Sequence, residues 1–236
     1  MSSETVSGAQ RWRRRKEARP PEILAAALGA FAERGFAATR LDDVARRAGV
    51  TKGTLYLYFP NKAELFKAVV AQAMVPSLER GEALLDANDA PAVRLLDQVM
   101  RGWAELARSP AGAIPKIVVS EAGNFPDIAQ FYRAAVVDRG MALLRRVVRL
   151  GIDSGEFRAV ADIDAVVRCL VAPLLLAMLW RHSFGRHEPG GFDPDALCQA
   201  QLQLLLDGLA TRPPAIAAPS PPPVASAARS QEMARS

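Results

Sequence analysis

Between Thr39 and Lys62 the chain reads TRLDDVARRAGVTKGTLYLYFPNK, and its polar side chains are of the kinds that bind phosphate oxygens and base edges. Thr51, Lys52, Thr54, Tyr56 and Tyr58 offer four hydroxyls and an ammonium from one short stretch, and Gly53 among them lets a partner approach the backbone closely. Lys62 follows in the first turn of the next segment, where it would complete a phosphate clamp from the other side. Catalytic chemistry has no comparable basis. His182 and His187 lie near Glu188 and Asp193, but their spacing across Gly185 makes no helical ligand pair, and no glycine-rich phosphate cradle or activated serine or cysteine motif occurs. No metal and no cofactor are expected. A helical enzyme is the remote alternative.

The elements that must hold these residues are written in capping signals. Thr39 with Asp42 three positions on makes a helix start, and Leu41, Val44, Ala45 and Ala48 then share one face. Gly49 stops that helix, and Thr51 with Thr54 restarts the chain as another. Two helices joined so tightly must cross steeply, which is helix-turn-helix geometry, with the second helix in the DNA major groove. Ala45 would sit at the closest approach, Val50 in the angle, and Leu55 and Phe59 on the inner side. Asn61 and Glu64 begin the helix that carries Lys62. By themselves these signals also suit an ordinary helical hairpin with a solvated polar face.

The whole string is more specific than its parts. The run AGVTKGTLYLYFPNKAELF, preceded by PEILAAALGAFAERGFAATRLDDVA, resembles the N-terminal DNA-binding domain of the TetR family of bacterial transcriptional regulators, TetR/AcrR-like, over about residues 20 to 68. The resemblance implies a three-helix head on a larger all-helical body for ligand binding and dimerisation. It also implies repression lifted by a small molecule, and DNA contacts from Thr39, Arg40, Thr51, Lys52, Gly53, Thr54, Tyr56, Tyr58 and Lys62. Residues 115 to 158 resemble the body of one large branch of the same regulators, which implies architecture but no binding residue.

Charge is distributed as that reading requires. Of the 236 residues, the first 68 hold 13 Lys and Arg against 7 Asp and Glu, and the remainder hold 17 against 18. The excess positive charge therefore belongs to the head, as a phosphate-binding module on a neutral body would have it. Residues 1–19, with Arg11, Arg13, Arg14, Arg15 and Lys16 around Trp12, read as a basic disordered arm that would lie along phosphates or in a flanking minor groove. Residues 212–236, rich in proline, alanine and serine, read as a disordered tail. Cys169 and Cys198 suggest neither a disulfide framework nor a metal knuckle, and no secretory signal precedes them, so a cytoplasmic setting is expected, with nucleoid association when DNA is bound. The longest apolar run, from Cys169 to Trp180, has 12 residues and contains Pro173. That is short of the roughly 18 to 20 a bilayer span needs, so no membrane is expected.

Beyond the head, helical periodicity marks residues 62–80, 91–108, 113–123, 126–154, 162–182 and 193–209, within a body spanning 69–211. With three helices in the head the chain is expected to be all-α, with about nine helices. The last two are the most apolar. A helix apolar almost all round must be covered on both sides, here by the body's core and by a second copy, giving a homodimer whose two heads read a palindromic double-stranded DNA operator. Met100, Trp103, Ile117, Phe131, Tyr132, Met141 and Met178 are the candidate lining of a pocket for a small, largely apolar effector, and Pro115 and Pro173 are the bends that would open it. The expected function is a dimeric repressor released from its operator by that effector. A ligand-independent activator or DNA-organising protein is the alternative.

Overall fold

The computed structural model describes residues 6–87, 90–188 and 192–211; the Pro/Ala/Ser-rich tail lies outside the described residues. Apart from an isolated bridge between Phe157 and Ala210, regular structure among them is helical. In chain order the helices are α1 (Val6–Ala38), α2 (Leu41–Arg47), α3 (Lys52–Tyr58), α4 (Lys62–Ala87), α5 (Ala92–Arg108), α6 (Ile114–Glu121), α7 (Pro126–Tyr132), α8 (Arg139–Asp153), α9 (Ile163–Ser183) and α10 (Pro194–Leu209). A π-helical turn, Arg133–Asp138, carries α7 into α8 without a break. With α7 and α8 counted as one and α1 kinked at Gly35 (φ 80°), the α-helices named above number nine among the described residues, in the all-α arrangement that periodicity and breakers predict.

Two boundaries differ from the sequence expectation. The backbone of residues 6–19, read as a disordered arm, continues α1 through Pro20 and Pro21. Its arginines, lysine, glutamate and alanines are strong helix formers; the missing apolar stripe bears on packing, not on helix propensity. The side chains of that arm, Arg11 to Lys16 included, lie outside the described residues. At the other boundary α4 runs on from the expected end near residue 80 to Ala87. Gly81 is not a terminator there: a Cβ on it would meet Leu143 Cδ2 at 2.6 Å, so this glycine lets α4 and α8 approach closely.

Two apolar cores result, and α4 belongs to both. The head core gathers Ile23, Phe31 and Phe36 of α1 with Val44, Leu55, Leu65 and Phe66, all within 2% of full burial. The rings of Phe31 and Phe36 meet Phe66 edge-on, with centroids 5.1 and 5.4 Å away. This core does not end with the head. It takes in Ile114, Ile117 and Val118 of α6 and Ile128 of α7, and Phe125 stacks edge-on to Phe36 at 4.7 Å. The body core is built from α5, α8, α9 and α10 around Leu95, Leu96, Leu143, Leu144, Phe157 and Leu170, with Leu78 and Leu85 of α4. By length and composition alone α9 could cross a membrane. It packs instead on α8 and α10, burying Val167, Leu170, Leu174 and Met178, while Leu176, Trp180 and Phe184 of that segment, and Leu204 on α10, stay exposed.

Candidate nucleic-acid interface and effector cavity

Gly49, at φ 65°, turns the chain from α2 into α3 in a conformation that disfavours other residues. Thr51 then caps α3, its hydroxyl accepting the Thr54 N–H at 3.1 Å, and Leu55 and Phe59 pin the helix to the core. What remains outside is Thr51, Lys52, Gly53 and Tyr56, with Thr54 and Tyr58 half-buried beside them; Arg40 at the start of α2 is exposed as well. The Lys52 ammonium reaches Asp42 of α2 at 2.9 Å and lies 5.9 Å from the Tyr56 ring centroid. Its hydrogen bond to Asp42, with the attraction of that carboxylate, holds it above the usual lysine range. Arg34 pairs with Asp43 and Arg47 with Glu33, bracing α2 against α1, and Arg46 pairs with Asp43 within α2.

Two expected DNA contacts are placed otherwise. Thr39 is only 2% exposed, and its hydroxyl donates to the carbonyls of Gly35 at 2.6 Å and Ala30 at 3.3 Å. It ties down the end of α1 rather than capping α2, whose cap position is Arg40. Lys62 turns inward: its ammonium donates to the Ala37 carbonyl at 2.8 Å and the Thr39 carbonyl at 3.1 Å, over the Phe36 ring. Burial lowers its pKa, with the Glu121 charge opposing. Both residues brace the joint between α1 and α4. One exposed residue escaped the sequence reading. Leu57 stands 75% exposed on α3, one turn beyond Gly53, an apolar group on a polar reading face.

In the body a cavity of about 310 Å³ opens among α4, α5, α6, the α7–α8 helix and α9. Trp103, Tyr132, Met141 and Met178 line it as expected, and so does Pro115. Met100 does not; it packs in the body core. Ile117 and Phe131 face the head core, each one residue away from a lining residue, Val118 and Tyr132, and so about 100° round the helix. The α6 wall is Pro115, Val118, Val119 and Ala122. Its i, i+3, i+4, i+7 spacing is the signal that bulk alone concealed. From the far side Gly140 admits the Trp103 ring, whose Cη2 lies 3.2 Å from where a Cβ would be. The same helix α6 also reaches the head: Glu121 accepts the Ala37 N–H at 3.2 Å.

A family model described as bacterial regulatory proteins, tetR family, matches residues 23–69, and one described as tetracyclin repressor-like, C-terminal domain, matches residues 94–189. The chain belongs to the TetR family. Among its relatives, the HTH-type transcriptional repressor KstR2 of Mycolicibacterium smegmatis is 25% identical over 193 residues, 81% of this chain and 90% of the relative. The solved structure of KstR2 of Mycobacterium tuberculosis is 26% identical, with a TM-score of 0.64 over 82% of this chain and 96% of the other. NalD, the secondary repressor of the MexAB-OprM multidrug efflux pump in Pseudomonas aeruginosa, is also 26% identical, with a TM-score of 0.65 over 83% and 98%. This TetR-family chain is a DNA-binding transcriptional regulator of the cytoplasm, not an enzyme.

Proposed function

We propose that the chain is a repressor that binds a palindromic operator as a homodimer and lets go when a small, largely apolar effector fills the body cavity. The observation that carries this reading is the double duty of α6, which walls the cavity with Pro115, Val118, Val119 and Ala122 and bonds to the head through Glu121. An effector that favours a different seating of α6 shifts the head with it, and mass action then draws the protein off its operator. α4 offers a second link, held to the head at Lys62 and lining the cavity at Met74 and Leu78.

Operator contacts fall to Arg40, Thr51, Lys52, Gly53, Thr54, Tyr56 and Tyr58, with arm residues Arg11 to Lys16 along the flanking phosphates. The exposed Leu176, Trp180, Phe184 and Leu204 suit a two-fold interface made from α9 and α10, and nucleoid association follows from operator binding. Binding-site selection with the purified chain tests the reading: a palindrome is expected, lost on Lys52→Ala with Tyr56→Ala. Light scattering that gives the single-chain mass of 25.4 kDa at micromolar concentration would overturn the dimer.

A further inference from the structure

The cavity wall carries no Asp, Glu, Lys, Arg or His among the described residues. Its polar side chains are the hydroxyls of Ser77 and Tyr132 and the indole N–H of Trp103. Ser77 is 94% buried, at 6% exposure, and neither hydroxyl meets a hydrogen-bond partner among the described residues. Burial drives the Tyr132 phenol far above its ordinary range, so near neutral pH it remains an uncharged donor and acceptor.

Those features constrain what can occupy the space. A carboxylate or ammonium would leave water for a wall with no opposite charge to pair it, a cost that apolar contact does not offset. A pure hydrocarbon would leave the two hydroxyls unpaired in a dry site. A neutral molecule with one hydroxyl or carbonyl satisfies both conditions. We infer that the effector is uncharged and mainly apolar, and that its single oxygen-bearing end is held by Tyr132, with Ser77 as the second polar contact. Tyr132 is the last residue of α7 before the π-helical turn, and Val136 and Val137 of that turn line the same cavity. π-Helical turns of this kind recur at functional sites, and a ligand bound to Tyr132 engages this irregular segment directly.

The inference rests on the cavity being the effector site, and the experiment separates the two. Calorimetric titration of the full chain without DNA uses three probes of one length: 1-decanol, decanoate and decylammonium at neutral pH. Decanol is expected to bind at least about tenfold more tightly than either charged probe, and Tyr132→Phe to weaken decanol by about three- to tenfold. Ser77→Ala gives a second, smaller loss should the Tyr132 variant melt early. Equal or better binding of a charged probe, no binding by any probe, or unchanged decanol affinity in both variants would overturn the inference. Operator binding with and without decanol is then measured separately. Decanol that binds through Tyr132 but leaves operator affinity unchanged counts against release by the cavity and leaves the ligand chemistry standing.

Discussion

The Glu121 carboxylate accepts the Ala37 N–H at 3.2 Å, joining the last residue of α6 to the end of α1 across 84 positions of sequence. Phe125 on Phe36 and Lys62 on the Ala37 carbonyl close around the same point. If this joint carries the effector signal, Glu121→Ala leaves decanol binding and unliganded operator affinity within about threefold. It reduces the coupling between them by about 1 kcal/mol. Glu121→Gln, which keeps an acceptor oxygen, recovers part of the coupling. Operator isotherms with and without saturating decanol measure it, and identical coupling in all three proteins would remove Glu121 from the path.

In the head Lys52 stands exposed on α3, where we propose it meets DNA, while Lys62 holds the fold. Lys52 is exposed on α3, so Lys52→Ala should weaken every operator alike and lower the slope of log K on log salt by about one. Lys62→Met should leave that slope unchanged. It strips two carbonyls of their donor, and is expected to cost about 1–3 kcal/mol of stability in chemical denaturation. Leu57→Ala, by contrast, should relax base preference at one operator position, the behaviour of an apolar contact to a thymine methyl. A lower slope in the Lys62 variant, with no loss of stability, would return that residue to the DNA.

The pattern of these differences shows what a sequence makes legible. Capping signals and periodicity located α2, α3 and the turn at Gly49, because those depend on neighbours within a few residues. The bonds of Thr39 to the Ala30 carbonyl and of Lys62 to the Ala37 carbonyl were not legible, because both acceptors come from α1 through tertiary packing. Part of the cavity was concealed in the same way. Phe131 and Tyr132 are similarly bulky and both pack against the head core, yet only Tyr132 also lines the cavity, and the rotation of α7 about its axis decides which. Leu57 is exposed because Leu55 and Phe59 already take the inner side of the short α3.

Glu156 makes stability depend on acid. Its carboxylate, in the loop after α8, accepts the Ala92 N–H at 3.0 Å and the Val93 N–H at 3.2 Å, satisfying the start of α5. Burial alone would push the carboxyl up, but those amides, with the Ser154 hydroxyl, hold it below its ordinary 4.5. A depressed folded value means the contribution is complete above the unfolded value and disappears as pH falls through the folded one. Denaturant midpoints are thus expected to hold down to about pH 5 and then to decline. Glu156→Gln should decline less over the same range while starting lower, by about 1 kcal/mol. A parallel decline in both proteins would assign the acid sensitivity elsewhere.

Pro173 has no N–H to give the Cys169 carbonyl four residues earlier in α9. Gln201 of α10 supplies the missing donor: its Nε2 reaches the Cys169 carbonyl at 2.7 Å and the Leu170 carbonyl at 2.8 Å. Pro173 in α9 and the Gln201 side chain on α10 therefore act together, between the helices proposed for the dimer face. Gln201→Leu leaves the Cys169 carbonyl without a donor and is expected to cost about 1–3 kcal/mol. Pro173→Ala restores an N–H at position 173, so the same Gln201 change should cost about 1 kcal/mol less in that background. A double-mutant cycle in urea measures the difference. Additive costs would mean that Gln201 serves only by packing, and that α9 accommodates Pro173 without it.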